Sequence, residues 1–196
     1  MKLTPYSEPS PHILLEDVFT SNQLDNIWRE INFITPHLTS AEYSGSAHSE
    51  SGTILKKNRG LFLHKVYVDT VMSPICQESF KVAWKSGISD YWISPWLQNM
   101  YNQTNWNTLL LSYYENTDHY KPHIDESVFT MLLWLWKEPK KFSGGNLYFP
   151  DANYAVECKN NCGIIFMSNE KHAVDPIILD TPGYGRYCIS VFSGIT

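Results

Sequence analysis

The chain is 196 residues long, 43% hydrophobic and 18% charged, with a formal net charge of −5. That length and balance suit a folded protein with one well-buried core and exclude a disordered chain. The acidic surplus offers no electrostatic footprint for nucleic acid or anionic lipid, and no run approaches the ~20 apolar residues of a membrane span. Seven Trp, twelve Tyr and nine Phe favour a β-rich body with bulky side chains lining pockets. Cys76, Cys158, Cys162 and Cys188 are too few and too scattered for a disulfide framework. Cys158 and Cys162 have the spacing of half a zinc knuckle but no second pair to complete it. With no apolar signal core after Met1, a soluble cytoplasmic protein is expected, without membrane or nucleic-acid partners.

In chain order, His12–Glu16 is predicted as a short strand. Thr20-Ser-Asn-Gln23 has the spacing of a capping box and predicts a helix to about Ile31, with Leu24, Ile27 and Trp28 on one face. Thr35–Asn58 is polar and Ser-rich, which predicts a long exposed loop or flap. A strand over Leu61–Val68 and a helix over Ser73–Lys85 follow, the helix burying Ile75, Phe80 and Ala83. From Asn107 onward the periodicity changes to short β-type runs. They are Leu109–Tyr114, His119–Asp125, Val128–Trp136, Asn146–Phe149, Tyr154–Cys158, Ile164–Met167, His172–Ile178 and Arg186–Phe192. Breakers such as Ser143-Gly-Gly and Thr181-Pro-Gly separate them. The expectation is one domain over 1–196, with mixed helical support in 1–106 and a jelly-roll core in 107–196.

Within Tyr114–Asp125, His123 and Asp125 are two apart, so a strand would project both from one face roughly 7 Å apart. That is close enough to share a metal ion, and His172, after the breaker Ser168-Asn-Glu-Lys, is the best third ligand. Two imidazoles and one carboxylate on one face of an octahedral ion leave adjacent positions open, the donor set of Fe(II) oxygenases. A chelating 2-oxo acid in those positions would need a cation for its far carboxylate. Arg186 opens an alternating strand that puts Arg186, Cys188, Ser190 and Phe192 on one face, assigned here to the barrel interior. Its planar fork pairs bidentately with carboxylates, whereas a buried unpaired Arg is very costly. His119 is expected at the surface or behind a ligand, and Lys137, Lys140 and Lys141 at a charged hairpin end.

The span Leu109–Phe192 resembles the 2-oxoglutarate- and Fe(II)-dependent oxygenases, and within them the prolyl 4-hydroxylase-like branch. The resemblance is carried by four motifs in order. These are Tyr114-Glu-x-x-x-His-Tyr-Lys-Pro-His123-x-Asp125, Phe142-Ser-Gly-Gly-Asn-Leu-Tyr-Phe149, His172-Ala-Val-x-Pro176 and Arg186-Tyr-x-Ile-x-Val-Phe192. It implies a mainly β protein with N-terminal helices and a double-stranded β-helix (jelly-roll) core. The implied cofactors are Fe(II), 2-oxoglutarate and O2, with ascorbate as an auxiliary reductant. It carries over His123, Asp125 and His172 as iron ligands and Arg186 and Tyr114 as 2-oxoglutarate contacts. Trp134 falls where hypoxia-type enzymes place a second co-substrate tyrosine, and Ser190 where a small or hydroxylated residue borders the co-substrate. Asn58 and Arg59 are candidates for the substrate groove. The implied substrate is a prolyl residue in a peptide or protein, with a free amino acid or other small molecule as the alternative. Arg186 lies fourteen residues after His172, a longer hairpin than in hypoxia-type enzymes, and residues 1–106 match only loosely. A catalytically silent metal-binding barrel and a zinc hydrolase are rivals that turnover of 2-oxoglutarate would separate.

Overall fold

The structure is a computed structural model that describes residues 1–45, 48, 51–85 and 87–196. Two sheets face each other. The larger has eight strands, which from edge to edge are β1 (Lys2–Tyr6), β2 (His12–Glu16), β12 (Cys162–Met167), β8 (Phe129–Trp136), β15 (Arg186–Gly194), β6 (Trp106–Tyr114), β5 (Arg59–Phe62) and β3 (Thr39–Ser40). The smaller runs β11 (Tyr154–Val156), β10 (Leu147–Phe149), β13 (His172–Val174), β7 (His119–His123) and β4 (Lys56–Lys57). The pair β14 (Ile177–Leu179) and β9 (Phe142–Gly144) forms a ribbon beside them. Every pairing is antiparallel. This is the expected mainly β, double-stranded β-helix architecture, with helices packed on one face of the larger sheet.

Alternation along β8 and β15 creates two cores. Met131, Leu133, Leu135, Tyr187, Ile189 and Val191 face the helices, while Leu132, Trp134, Trp136 and Cys188 face the barrel interior. Both faces of these central strands are covered, so β8 reads as a nearly unbroken apolar run rather than an alternating one. The helices on the outer face are α1 (Ser21–Ile34), α2 (Pro74–Ala83) and α3 (Pro95–Gln103). In α1 the Thr20 hydroxyl accepts from the Gln23 N–H and the Gln23 side chain accepts from the Thr20 N–H, completing the predicted capping box. In α2 the Ser73 hydroxyl caps the Cys76 N–H and donates to buried Glu30 of α1, whose other oxygen accepts from Ile75 N–H. One carboxylate thereby ties two helices together.

Several boundaries differ from the expectation, each for a tertiary reason. The Thr35–Asn58 segment is not wholly exposed. Leu38, Ala41, Ser44, Lys56 and Asn58 are buried, because the chain adds β3 to the larger sheet and β4 to the smaller one. Residues 46, 47, 49 and 50 of the expected flap lie outside the described residues. The strand expected over Leu61–Val68 starts at Arg59 and ends at Phe62, where a 3-10 turn over Leu63–Lys65 takes the chain off the sheet edge. The single strand expected over His172–Ile178 is two, broken at Asp175-Pro176, since Pro176 has no N–H for a ladder. β1 and α3 escaped the sequence reading. Pro5 within β1 is tolerated because β1 lies at the sheet edge. Among the described residues, no helix is long and apolar enough to cross a membrane, and all four cysteines are free.

Candidate metal and co-substrate site

A cavity of about 570 Å3 lies inside the barrel and opens at one end. His123, Asp125 and His172 meet on its wall, with one donor atom of each within 4.8 Å of the others. His123 and His172 are direct cross-strand partners on β7 and β13, their ring centroids 4.2 Å apart. Asp125 Oδ1 lies 3.7 Å from His123 Nε2, and Oδ2 lies 3.5 Å from His172 Nε2. Ligands at right angles around an ion with bonds of about 2.1 Å stand roughly 3 Å apart, so a small contraction would close these three donors on a metal.

The local backbone explains the convergence. Expected as strand residues sharing a face, His123 and Asp125 are differently placed: β7 ends at His123, and Asp125 lies just beyond it. Asp125 is anchored there by its N–H donating to Ser168 O and by the Thr130 hydroxyl donating 2.7 Å to Oδ2. With its proton directed at Asp125, Thr130 accepts from Ser168 at 2.9 Å, extending the support onto the loop after β12. The pairing of β7 with β13 also shifts register between His123 and Tyr120, a bulge holding Lys121 and Pro122. The Lys121 carbonyl accepts from His123 Nδ1 at 2.9 Å, and the Glu170 carbonyl does the same for His172 Nδ1. Both imidazoles are thus fixed with the proton on Nδ1 and the Nε2 lone pair toward Asp125, the tautomer a metal ligand needs. Burial, with neighbouring His172 adding to it, pulls His123 down to about 3, so its ring stays neutral at physiological pH. Burial pushes Asp125 upward, against the pull of His172, Thr130 and Lys56.

Arg186 is the second pole of the cavity. Its side chain is fully buried, its Cζ lies 4.8 Å over the Tyr114 ring, and Nη1 donates to Cys158 Sγ at 2.9 Å. Nε and Nη2 are buried without any partner. A buried guanidinium with unpaired donors is a large electrostatic debt unless a carboxylate completes it. Such a carboxylate has room in this cavity, which Arg186 lines. The residues present therefore fit both a divalent metal and a dicarboxylate reaching from it to Arg186.

Tyr114, Trp134 and Ser190 all line the same cavity. Tyr114 is cross-strand from Arg186, and its hydroxyl is driven upward in pKa chiefly by burial. Trp134 is buried on β8 and Ser190 on β15, the latter 3.8 Å from Cys188 Sγ. Asn58 also faces the cavity, beside Tyr114, with neither amide atom well paired. Arg59 does not face it. Alternation along β5 turns Arg59 outward, over the Tyr113 ring at 5.4 Å and toward Glu115 at 3.9 Å. His119 lies away from the metal group, its Nδ1 on the Thr117 carbonyl.

Three contributors were missed in the sequence. Thr130 had a usable signal, since it is the one hydroxyl inside the apolar run Val128–Trp136. Cys158, which braces Arg186, looks like an ordinary thiol in sequence. Lys56 sits in a polar segment where nothing distinguishes it from a solvated lysine, yet it is only 5% exposed and faces the cavity.

Residues 109–193 match the 2OG-Fe(II) oxygenase superfamily. No curated protein matches the chain in sequence. Among solved structures, the chain is similar to a prolyl-4-hydroxylase of Pseudomonas putida, with a TM-score of 0.62, 14% identity, and coverage of 94% of this chain and 92% of that one. It is also similar to a prolyl hydroxylase of Trichoplax adhaerens solved with a hypoxia inducible factor oxygen degradation domain peptide fragment, with a TM-score of 0.59, 14% identity, and coverage of 93% and 83%. A viral collagen prolyl hydroxylase from Paramecium Bursaria Chlorella virus-1, in its 2OG complex, gives a TM-score of 0.53 at 12% identity, covering 93% and 94%. At such identities the likeness is one of fold.

Proposed function

We propose, from the match of residues 109–193 to the 2OG-Fe(II) oxygenase superfamily and from the geometry of the cavity, that the protein hydroxylates a C–H bond of a prolyl residue in a peptide or protein. The observation that carries the proposal is the pairing of two features in one cavity. Three metal-type donors converge on its wall, and a buried arginine with unpaired nitrogens waits deeper inside. A zinc hydrolase would account for the first feature and leave the second unexplained.

In this reading His123, Asp125 and His172 hold Fe(II), and Arg186 and Tyr114 hold the distal carboxylate of 2-oxoglutarate. When bound, iron and 2-oxoglutarate supply the oxidising power. Their chemistry there would be oxidative decarboxylation, in which one oxygen atom of O2 would enter the substrate C–H bond and the other succinate, with CO2 released. The chain itself does the positioning. The carbonyls of Lys121 and Glu170 fix the two imidazole tautomers, and Thr130 fixes the carboxylate rotamer. Trp134 and Ser190 shape the floor on which the co-substrate lies, and the apolar walls exclude bulk water. Ascorbate would serve to return oxidised iron to Fe(II).

The prolyl assignment is supported by the open end of the cavity. There Phe62, Trp106 and Phe192 make an aromatic wall, with the Phe62 and Phe192 centroids 6.3 Å apart. Such a surface suits a pyrrolidine ring and an extended proline-containing chain. Solved structures of similar fold include a prolyl hydroxylase with a peptide fragment bound. The test is incubation with Fe(II), 2-oxoglutarate, O2 and a panel of proline-containing peptides. Succinate release coupled to a peptide mass gain of one oxygen atom supports the proposal. Succinate coupled only to free amino acids would move the substrate to the small-molecule class.

A further inference from the structure

Lys56 is a buried cation in the cavity, and the acid that acts on it there is Asp125 of the metal group, which lies beyond ion-pairing distance. Lys56 lies on β4 opposite Tyr120, whose ring stacks at 3.5 Å on His123, so the lysine comes from the strand beside the metal group. Its ammonium donates to the Ser44 carbonyl at 3.3 Å and lies 5.9 Å from the Tyr120 ring centroid. Among the described residues no carboxylate comes within ion-pairing distance of it. Two residues along, Asn58 faces the same cavity, 6% exposed, with the Tyr114 hydroxyl beside it and neither amide atom well paired.

Charge balance shows what is missing. In the loaded site, the Asp125 carboxylate and the chelating end of 2-oxoglutarate neutralise Fe(II), and the distal carboxylate neutralises Arg186. Among the described residues no further acid is left to pair with Lys56, and Glu126, which also lines the cavity, is exposed. An ammonium that is itself buried and lacks an ion-pair partner favours an anion as the next occupant of the cavity. Resting on the oxygenase reading above, we propose that the substrate carries a carboxylate close to the reacting carbon, and that Lys56 binds it with help from the Asn58 amide.

That carboxylate has two sources: the terminal group of a C-terminal proline, or an acidic side chain next to an internal one. Two matched pairs of probes separate them. N-acetyl-L-proline is compared with N-acetyl-L-prolinamide, and acetyl-Ala-Pro-Glu-amide with acetyl-Ala-Pro-Gln-amide. Binding is measured by calorimetry on protein loaded with Fe(II) and 2-oxoglutarate under argon, in the wild type and in Lys56→Met, Lys56→Gln and Lys56→Arg. A charge-assisted hydrogen bond is expected to make at least one charged probe bind about 10-fold tighter, or more, than its neutral twin. That ratio should fall to near one in Lys56→Met and Lys56→Gln and persist in Lys56→Arg. The pair that shows the preference identifies the source. Equal binding of both pairs in the wild type overturns the proposal, as does a preference that survives Lys56→Met or Lys56→Gln. Either neutral variant suffices if the other fails to fold. The chelate absorption, read in the same samples, tests the oxygenase reading separately: charge preference without the chelate keeps the anion site and rejects 2-oxoglutarate.

Discussion

Replacing Arg186 by Met should make the ligand-free protein more stable while removing its response to 2-oxoglutarate. The guanidinium is completely buried, and only Nη1 has a hydrogen-bond partner, the soft Cys158 sulfur. The Tyr114 face returns about 1–2 kcal/mol as a cation–π contact, against a desolvation cost of several kcal/mol for a buried ion. Methionine follows the same stem and fills the apolar surroundings, so a net gain of about 1–3 kcal/mol is expected. For a chain of this size that is a rise in Tm of roughly 2–10 °C. The co-substrate effect has the opposite sign. A ligand at 100 times its Kd stabilises by about 2.7 kcal/mol. Without the arginine fork that increment should disappear, because truncating one side of a buried charge pair costs about 3–5 kcal/mol. The assay is thermal unfolding of both proteins with Mn(II), with and without 2-oxoglutarate. A variant that melts lower than wild type without ligand, or that still shifts with 2-oxoglutarate, would refute the reasoning.

Three further outcomes follow from the same geometry. Burial lowers Lys56 to about 8 from 10.5, so between those values the unfolded chain holds a proton that the fold has shed, and stability rises with pH across that window. Below pH 8 the cost of the charge remains in full, and Lys56→Met should be more stable than wild type at pH 7 by roughly 2–3 kcal/mol, the gap closing by about pH 10.5. Urea denaturation of the metal-free proteins at pH 7 and 10 measures it, and a gap that widens with pH contradicts it. Gly163→Ala would place a Cβ 2.3 Å from the Leu132 carbonyl oxygen between β12 and β8. The strands must part to admit it, at about 3 kcal/mol, and a melt within about 2 °C of wild type would show that the sheet yields more cheaply. Thr130→Val removes the hydroxyl that orients Asp125 and should weaken Mn(II) binding about 10- to 100-fold with the fold retained, as read by metal titration and circular dichroism.

The C-terminal half was legible because its signals are local and repeated. Breakers such as Thr181-Pro-Gly fall between short runs, although Ser143-Gly144 and Cys162-Gly163, read as parts of breakers, lie in β9 and β12, and alternation in Arg186–Phe192 separates a barrel face from a helix face. His123, Asp125, His172 and Arg186 could be singled out because their chemistry is improbable together without a shared purpose. The residues that were not legible depend on distant partners. Lys56 is buried only because β4 joins β7 across more than sixty residues of chain, and Cys158 matters only because Arg186 arrives beside it. Arg59 failed for a different reason. It neighbours Asn58, but Asn58 lies in the bend between β4 and β5 and lines the cavity, whereas Arg59 opens β5 with its side chain over Tyr113, and the sequence does not show where β5 begins. Asp125 was assigned to a strand, whereas the turn after β7 and the Thr130 hydroxyl bring it to the metal group.

The central claim is tested most directly by anaerobic reconstitution with Fe(II) and 2-oxoglutarate, watching for the weak metal-to-ligand charge-transfer absorption of the chelate. The band should appear in wild type, be absent in Asp125→Ala and Arg186→Met, and decay with succinate release when O2 is admitted. Folded, iron-loaded wild-type protein that never develops the band would contradict it, and the cavity would then belong to a different metal chemistry.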